Sequence, residues 1–173
     1  MSKHYSSGAE LSAKVLKGVN ILADNVASTL GPRGRTVLLQ RAGSGPFVSK
    51  DGVTVAEHVV LDDPIENAAV QILKQASSQT NTLAGDGTTT SMVLSRAILQ
   101  EAQKHVVAGT PPIEIKRAID RATEILVENL KKSSMPIQSE EDIAHIASIS
   151  ANNDEVIGNL IAKAVDCVGK DGS

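Results

Sequence analysis

Residues 83–98 read LAGDGTTTSMVLSRAI. Two glycines and an aspartate interrupt one apolar-periodic run, and three consecutive threonines open the next, so the stretch links two helices through a tight turn. A helix start leaves backbone N–H groups unpaired and carries the positive end of the helix dipole, which favours an anion there. Gly85 and Gly87 let the backbone approach a ligand with no Cβ in the way. Thr88, Thr89 and Thr90 add hydroxyl donors at the same point, and Asp86 offers a hard oxygen ligand for a Mg2+ that bridges phosphates. This chemistry suits a nucleoside triphosphate, although no G-x-x-x-x-G-K-[ST] occurs in the chain. A glycine-rich link with a threonine cap accounts for the same residues, and the pattern alone leaves both readings open.

Upstream, Leu11, Val15, Val19, Leu22, Val26 and Leu30 recur at spacings of four, four, three, four and four, one stripe of a helix that Gly31 and Pro32 stop. RTVLLQ (35–40) and PFVSK (46–50) flank the turn-rich RAGSG and predict a hairpin, with KDGVT (50–54) as a loop after it. Asp63 and Pro64 supply an N-cap and a first-turn proline for a helix whose stripe is Ile65, Ala68, Ala69, Ile72, Leu73 and Ala76. Downstream of the threonines a helix runs through Val93, Ala97 and Ile98 towards Gly109. The prolines at 111 and 112 start another, with Ile115, Ile119, Ala122, Leu126 and Leu130 in line. The polar KKSSMPIQSEED then marks a domain border or a change of direction. Two shorter amphipathic runs follow, 139–149 and 154–168, with Cys167 expected to be buried beside the apolar face of the second.

Composition narrows the chemistry. With 173 residues, the chain has room for one domain or a domain plus a small appendage. Hydrophobic residues make up 41% and aromatics 1%, so the core is aliphatic and Tyr5 and Phe47 are the only rings. A net charge of −3 and a pI of about 5.8 give no nucleic-acid footprint, and two rings cannot build a base-stacking platform. Cys167 has no intrachain partner thiol. With no secretory leader and no long apolar run, the expectation is a soluble, cytoplasmic protein with neither a nucleic-acid nor a membrane partner. His4, His58, His105 and His145 share no metal-ligand spacing with Cys167.

Two further glycine-rich loops stand at element boundaries, TLGPRGR (29–35) and SKDGVTVA (49–56), and three such loops can converge on one phosphate group. Together with AGDGTTT and ISANND, in this order and at these separations, they resemble the N-terminal part of a group I chaperonin over about residues 8–172. The resemblance implies a mainly α fold: an equatorial-type helical bundle with a short β-hairpin over 1–132, and a helical piece of the intermediate domain over 133–173. It implies that Thr29, Leu30, Gly31 and Pro32 pack against the nucleotide, that Asp86 binds Mg2+, and that Gly87, Thr88, Thr89 and Thr90 cradle phosphate. It further implies that Lys50 and the backbone at Thr29 flank a K+, that Asp51 serves hydrolysis near the γ-phosphate, and that Ser150, Ala151 and Asn152 form the hinge leaning over the pocket.

The same resemblance implies ATP or ADP, Mg2+ and K+ as ligands and other chaperonin subunits in a ring as partners. Unfolded clients and a co-chaperonin are implied only where an apical domain is present. Ser91 and Met92 depart from the Ala-Thr that often follows the family's threonines. The family's apical domain and the returning halves of its other domains have no counterpart in the 173 residues, so half of an ATP site is expected, with ATPase activity belonging to the complete protein. A shortened, non-catalytic subunit or interaction module is the alternative, and an unrelated small helical phosphotransferase lacks a recognisable base.

Overall fold

The helical periods and the short alternating runs are realised as seven helices and a two-stranded hairpin in a computed structural model, which describes residues 4–31, 33–40, 43 and 45–169. Helix α1 (Gly8–Ala27) ends before the expected glycine–proline stop. Ser28 Oγ and Thr29 Oγ1 donate back to Asn25 O and Val26 O at 2.7 Å each and satisfy the terminal carbonyls early. Leu30 therefore lies outside the helix, and Pro32 lies outside the described residues. Strands β1 (Val37–Leu39) and β2 (Phe47–Ser49) pair antiparallel as expected, with Val37 opposite Ser49 and Leu39 opposite Phe47.

Residues 50–54, expected to be a loop, instead lead into a helix, α2 (Gly52–His58). Its N-cap is Asp51, whose Oδ2 accepts from Thr54 N at 2.9 Å and Thr54 Oγ1 at 2.7 Å. Seven residues rich in β-branched side chains have little intrinsic helical tendency. The cap and the burial of Val55 and Ala56 hold α2 in place.

Helix α3 (Pro64–Ala84) starts as expected: Asp63 Oδ1 accepts from Ile65 N and Glu66 N at 2.8 and 3.1 Å, with Pro64 in the first turn. Its buried face is rotated from the predicted stripe to Glu66, Ala69, Val70, Leu73 and Ser77, leaving Ile72 68% exposed. The cause is the approach of α1. A Cβ on Gly18 would stand 2.4 Å from Glu66 O, so the two helices touch backbone to backbone there. Lys17 Nζ also pairs with Glu66 Oε1 at 2.7 Å. Helix α4 (Thr88–Val107) buries Met92, which completes an aliphatic core with Val19, Leu22, Val26, Leu39, Val55, Val70 and Leu73.

The chain divides into two compact units, 1–116 and 117–173, and the division falls inside α5 (Pro112–Ser133). No residue of α5 is buried. In the second unit α6 (Glu140–Ser150) and α7 (Glu155–Val168) form a helical hairpin. Ser139 and Asp142 make a capping box on α6, and Asp154 caps α7. The helices cross at Gly158, where a Cβ would lie 1.9 Å from Ser148 Oγ and 2.8 Å from Ala144 O. The contact face is made of the small residues Ala147, Gly158 and Ala162, whereas Val156 and Leu160 remain exposed. Cys167, expected to be buried, is exposed, because the close crossing turns the large residues of α7 and their neighbours outward. Among the described residues no helix is long and apolar enough to cross a membrane.

Candidate functional site

The turn between α3 and α4 depends on its two glycines. Gly85 closes α3 at φ 71° and Gly87 precedes α4 at φ 81°, a left-handed backbone that side chains with a Cβ resist. Gly85 N donates to Asn81 O at 2.8 Å, and Gly87 N donates to Asp86 Oδ1 at 2.6 Å. The carbonyl of Thr88 accepts from Ser91 Oγ at 2.7 Å and from Ser77 Oγ of α3 at 3.3 Å. With Met92 buried one turn on, the start of α4 is anchored from below. Thr88 and Thr89 are half-buried, while Asp86 and Thr90 are exposed.

The turn after α1 coils upon Thr29. Arg35 N donates to Ser28 O at 2.7 Å and Gly34 N to Gly31 O at 2.9 Å. A Cβ on Gly34 would lie 2.2 Å from Thr29 O. Thr29 Oγ1 commits its proton to Val26 O, so towards other neighbours it presents lone pairs. Leu30 and Gly31 are exposed at the rim, Gly31 with φ 78°.

The third loop meets both of these turns. A Cβ built on the buried Gly52 would fall 1.9 Å from Thr89 Oγ1 and 3.3 Å from Thr29 Oγ1. The two threonine hydroxyls thus stand no more than about 5 Å apart, with Gly52 between them. Lys50 and Asp51 immediately precede this point and are both exposed. Partial burial pushes the Asp51 carboxyl up, but the Thr54 hydroxyl and the amides of Thr54 and Val53 outweigh it and hold the group below the ordinary carboxylate value. Asp51 is therefore ionised at neutral pH.

Ser150, Ala151 and Asn152 belong to the second unit, where Ala151 closes α6 and Asn152 and Asn153 take φ of 57° and 65°. Three residues that shape the first unit's site were not singled out by sequence reasoning. Thr54 had a readable signal, since Asp51 three residues ahead of it forms a capping pattern. Gly52 had one as the glycine of SKDGVTVA, although its approach to Thr29 and Thr89 is distant in sequence, and Ser77, which acts on Thr88 from the preceding helix, had none. Among the described residues no group of three His, Cys, Asp or Glu side chains gathers to hold a metal. The exposed Asp86 carboxylate instead suits Mg2+, which keeps waters and phosphate oxygens and takes one or two carboxylates from the protein.

The family model of the TCP-1/cpn60 chaperonins matches residues 22–172. The crystal structure of a group III chaperonin in the open state aligns with a TM-score of 0.78 at 23% identity, covering 93% of this chain and 32% of that one. The chaperonin gp146 from the bacteriophage EL 2 (Pseudomonas aeruginosa), in the presence of ATP-BeFx, aligns in two crystal forms with a TM-score of 0.77 at 23% identity, covering 95% of this chain and 29% of that one. The mainly helical architecture with one hairpin is the fold these structures share with it. The chain spans about a third of their length.

Proposed function

Since the chain belongs to the TCP-1/cpn60 chaperonin family, we propose that its first unit holds the polyphosphate of ATP or ADP together with Mg2+ and K+, as one part of the nucleotide site of a ring-forming chaperonin. The motifs at 49–56 and 149–154 favour group I. In this reading residues 1–132 are equatorial and 133–173 intermediate. Assisted folding of client chains belongs to the complete ring.

The observation that most supports the reading is the meeting of Thr29, after α1, with Gly52 and Thr89, in the first turns of α2 and α4. The residues fit a polyphosphate. Gly85 and Gly87 remove side-chain bulk, the start of the twenty-residue α4 offers amides and the favourable dipole end, and Thr88, Thr89 and Thr90 add hydroxyls. Asp86 would hold the Mg2+, which supplies charge neutralisation to the phosphates. Thr29 presents lone pairs rather than a proton, and with the Thr29 and Lys50 carbonyls it suits a K+ better than a phosphate oxygen. Asp51, ionised and fastened by Thr54, can accept a hydrogen bond from a water and so orient it. Leu30 and Gly31, exposed after α1, would flank the nucleotide.

Titration with a fluorescent ATP analogue, Mg2+ and K+ tests this. Asp86→Ala is expected to weaken Mg2+-dependent binding tenfold or more, whereas Asp51→Ala keeps binding and abolishes any phosphate release. Binding without release assigns the chain to a nucleotide-holding, non-hydrolysing scaffold. Absence of Mg2+-dependent binding by the unaltered chain overturns the proposal.

A further inference from the structure

Gly52 occupies the first helical position of α2, where its backbone has no need of glycine: its φ lies outside the left-handed region, and the residue is buried. Glycine also lowers helical tendency relative to alanine. The reason for glycine is space. A Cβ there would stand 1.9 Å from Thr89 Oγ1, 3.2 Å from Thr89 Cβ and 3.3 Å from Thr29 Oγ1. Two of these three atoms are the hydroxyls already described, and none belongs to backbone.

We infer that Gly52 is a positioning residue of the phosphate site: the absence of its side chain is what allows the Thr89 hydroxyl to stand beside Thr29 at the start of α4. This rests on the phosphate reading of the site. The steric consequence is specific. The severe clash of an added methyl is with Thr89 Oγ1, and it is relieved when Thr89 turns about χ1 so that its Hβ takes the vacated place and its hydroxyl moves elsewhere; Thr89 Cβ, at 3.2 Å, stays put and has only to give by a few tenths of an ångström. The fold tolerates this movement because Thr89 is only half-buried and its α4 backbone stays anchored through Ser77, Ser91 and Met92. Substitution at Gly52 therefore reaches ligand binding through Thr89, at a modest cost in stability from the tight contacts that remain with Thr89 Cβ and Thr29 Oγ1. Gly158 and Gly34 behave differently, since the atoms that crowd them include backbone, which cannot rotate away.

The test is a double-variant cycle on the full chain, with Gly52→Ala, Thr89→Ala and the pair, read by binding of a fluorescent ATP analogue with Mg2+. Each single variant is expected to bind roughly tenfold to a hundredfold more weakly, the loss of one hydrogen bond to a charged group. The pair is expected to bind no more weakly than Thr89→Ala alone. Three-bond couplings to the Thr89 methyl should report a new χ1 in Gly52→Ala. Unaltered binding in Gly52→Ala, or losses that multiply in the pair, overturns the inference. If Gly52→Ala does not fold, recovery of folding in the pair identifies the Thr89 side chain as the displaced group, and no recovery overturns the inference. Should the unaltered chain bind no nucleotide, the phosphate reading fails by itself, and the Thr89 couplings still decide whether Gly52 seats that hydroxyl.

Discussion

At the scale of single residues, Asp63 shows how a cap and an ion pair combine. Its carboxylate takes the first two free amides of α3 and also pairs with Lys14 of α1 at 2.8 Å. The Lys14 hydrogen bond foremost, then the amides of Glu66 and Ile65, lower its pKa from 3.8 to about 2. A carboxyl whose folded value lies below its unfolded one stabilises the fold fully above the unfolded value and loses that effect as pH falls through the folded one. Denaturant midpoints should therefore fall between pH of about 4 and about 2 in the unaltered chain. Asp63→Asn, which keeps a capping oxygen but no charge, should flatten that decline, with the largest difference between the two proteins above pH 4. Equal slopes across this range would show that the pair does not couple to folding. The Asp63–Pro64 start was legible in the sequence because a cap and a first-turn proline are local chemistry. Its ion partner, 49 residues away, was not.

Elements are positioned here by small residues and by a few anchors. Met92, fully buried one turn into α4, carries the start of that helix on the core. Met92→Ala should cost roughly 2–5 kcal/mol in chemical denaturation, the usual range for emptying such a site, and should weaken nucleotide binding by loosening the turn that presents the threonines. The α6–α7 hairpin rests instead on Gly158. Alanine there would meet both Ser148 Oγ and the Ala144 carbonyl, so Gly158→Ala should destabilise the hairpin by about 1–3 kcal/mol, and removing the serine hydroxyl as well should not restore it. Hydrogen exchange confined to residues 140–168 would check this, and recovery in the Ser148→Ala background would contradict it. Helix periods made most of these elements readable in advance. The exception, α2, is short and β-branched, and only its cap pattern and its place on the core make it helical.

Across the whole molecule, the apolar surface exceeds what the chain covers. In the first unit a groove of about 380 Å3 opens between α1, α3 and α4, lined by Leu11, Val15, Ile65, Ala68, Ile72 and Leu99. Leu126, Leu130, Val156 and Leu160 are exposed on α5 and α7. Apolar area left in water forgoes about 25 cal/mol for each Å2, so the polypeptide should self-associate at micromolar concentration. Light scattering should show that association weakening in Ile72→Lys and Leu160→Lys without a lower melting temperature, since both positions are already exposed. A monodisperse unaltered monomer would refute this expectation. By itself the sequence determined the order and type of nearly all the elements, the glycine turn at 85–87 and the identity of the three loops, because periodicity, capping and turn chemistry act between near neighbours in the chain. Only the tertiary structure decided which face of α3 is buried, that Cys167 lies outside, and that Thr29, Gly52 and Thr89 meet. Those outcomes depend on how closely two backbones approach across tens of residues, a distance that no local pattern encodes.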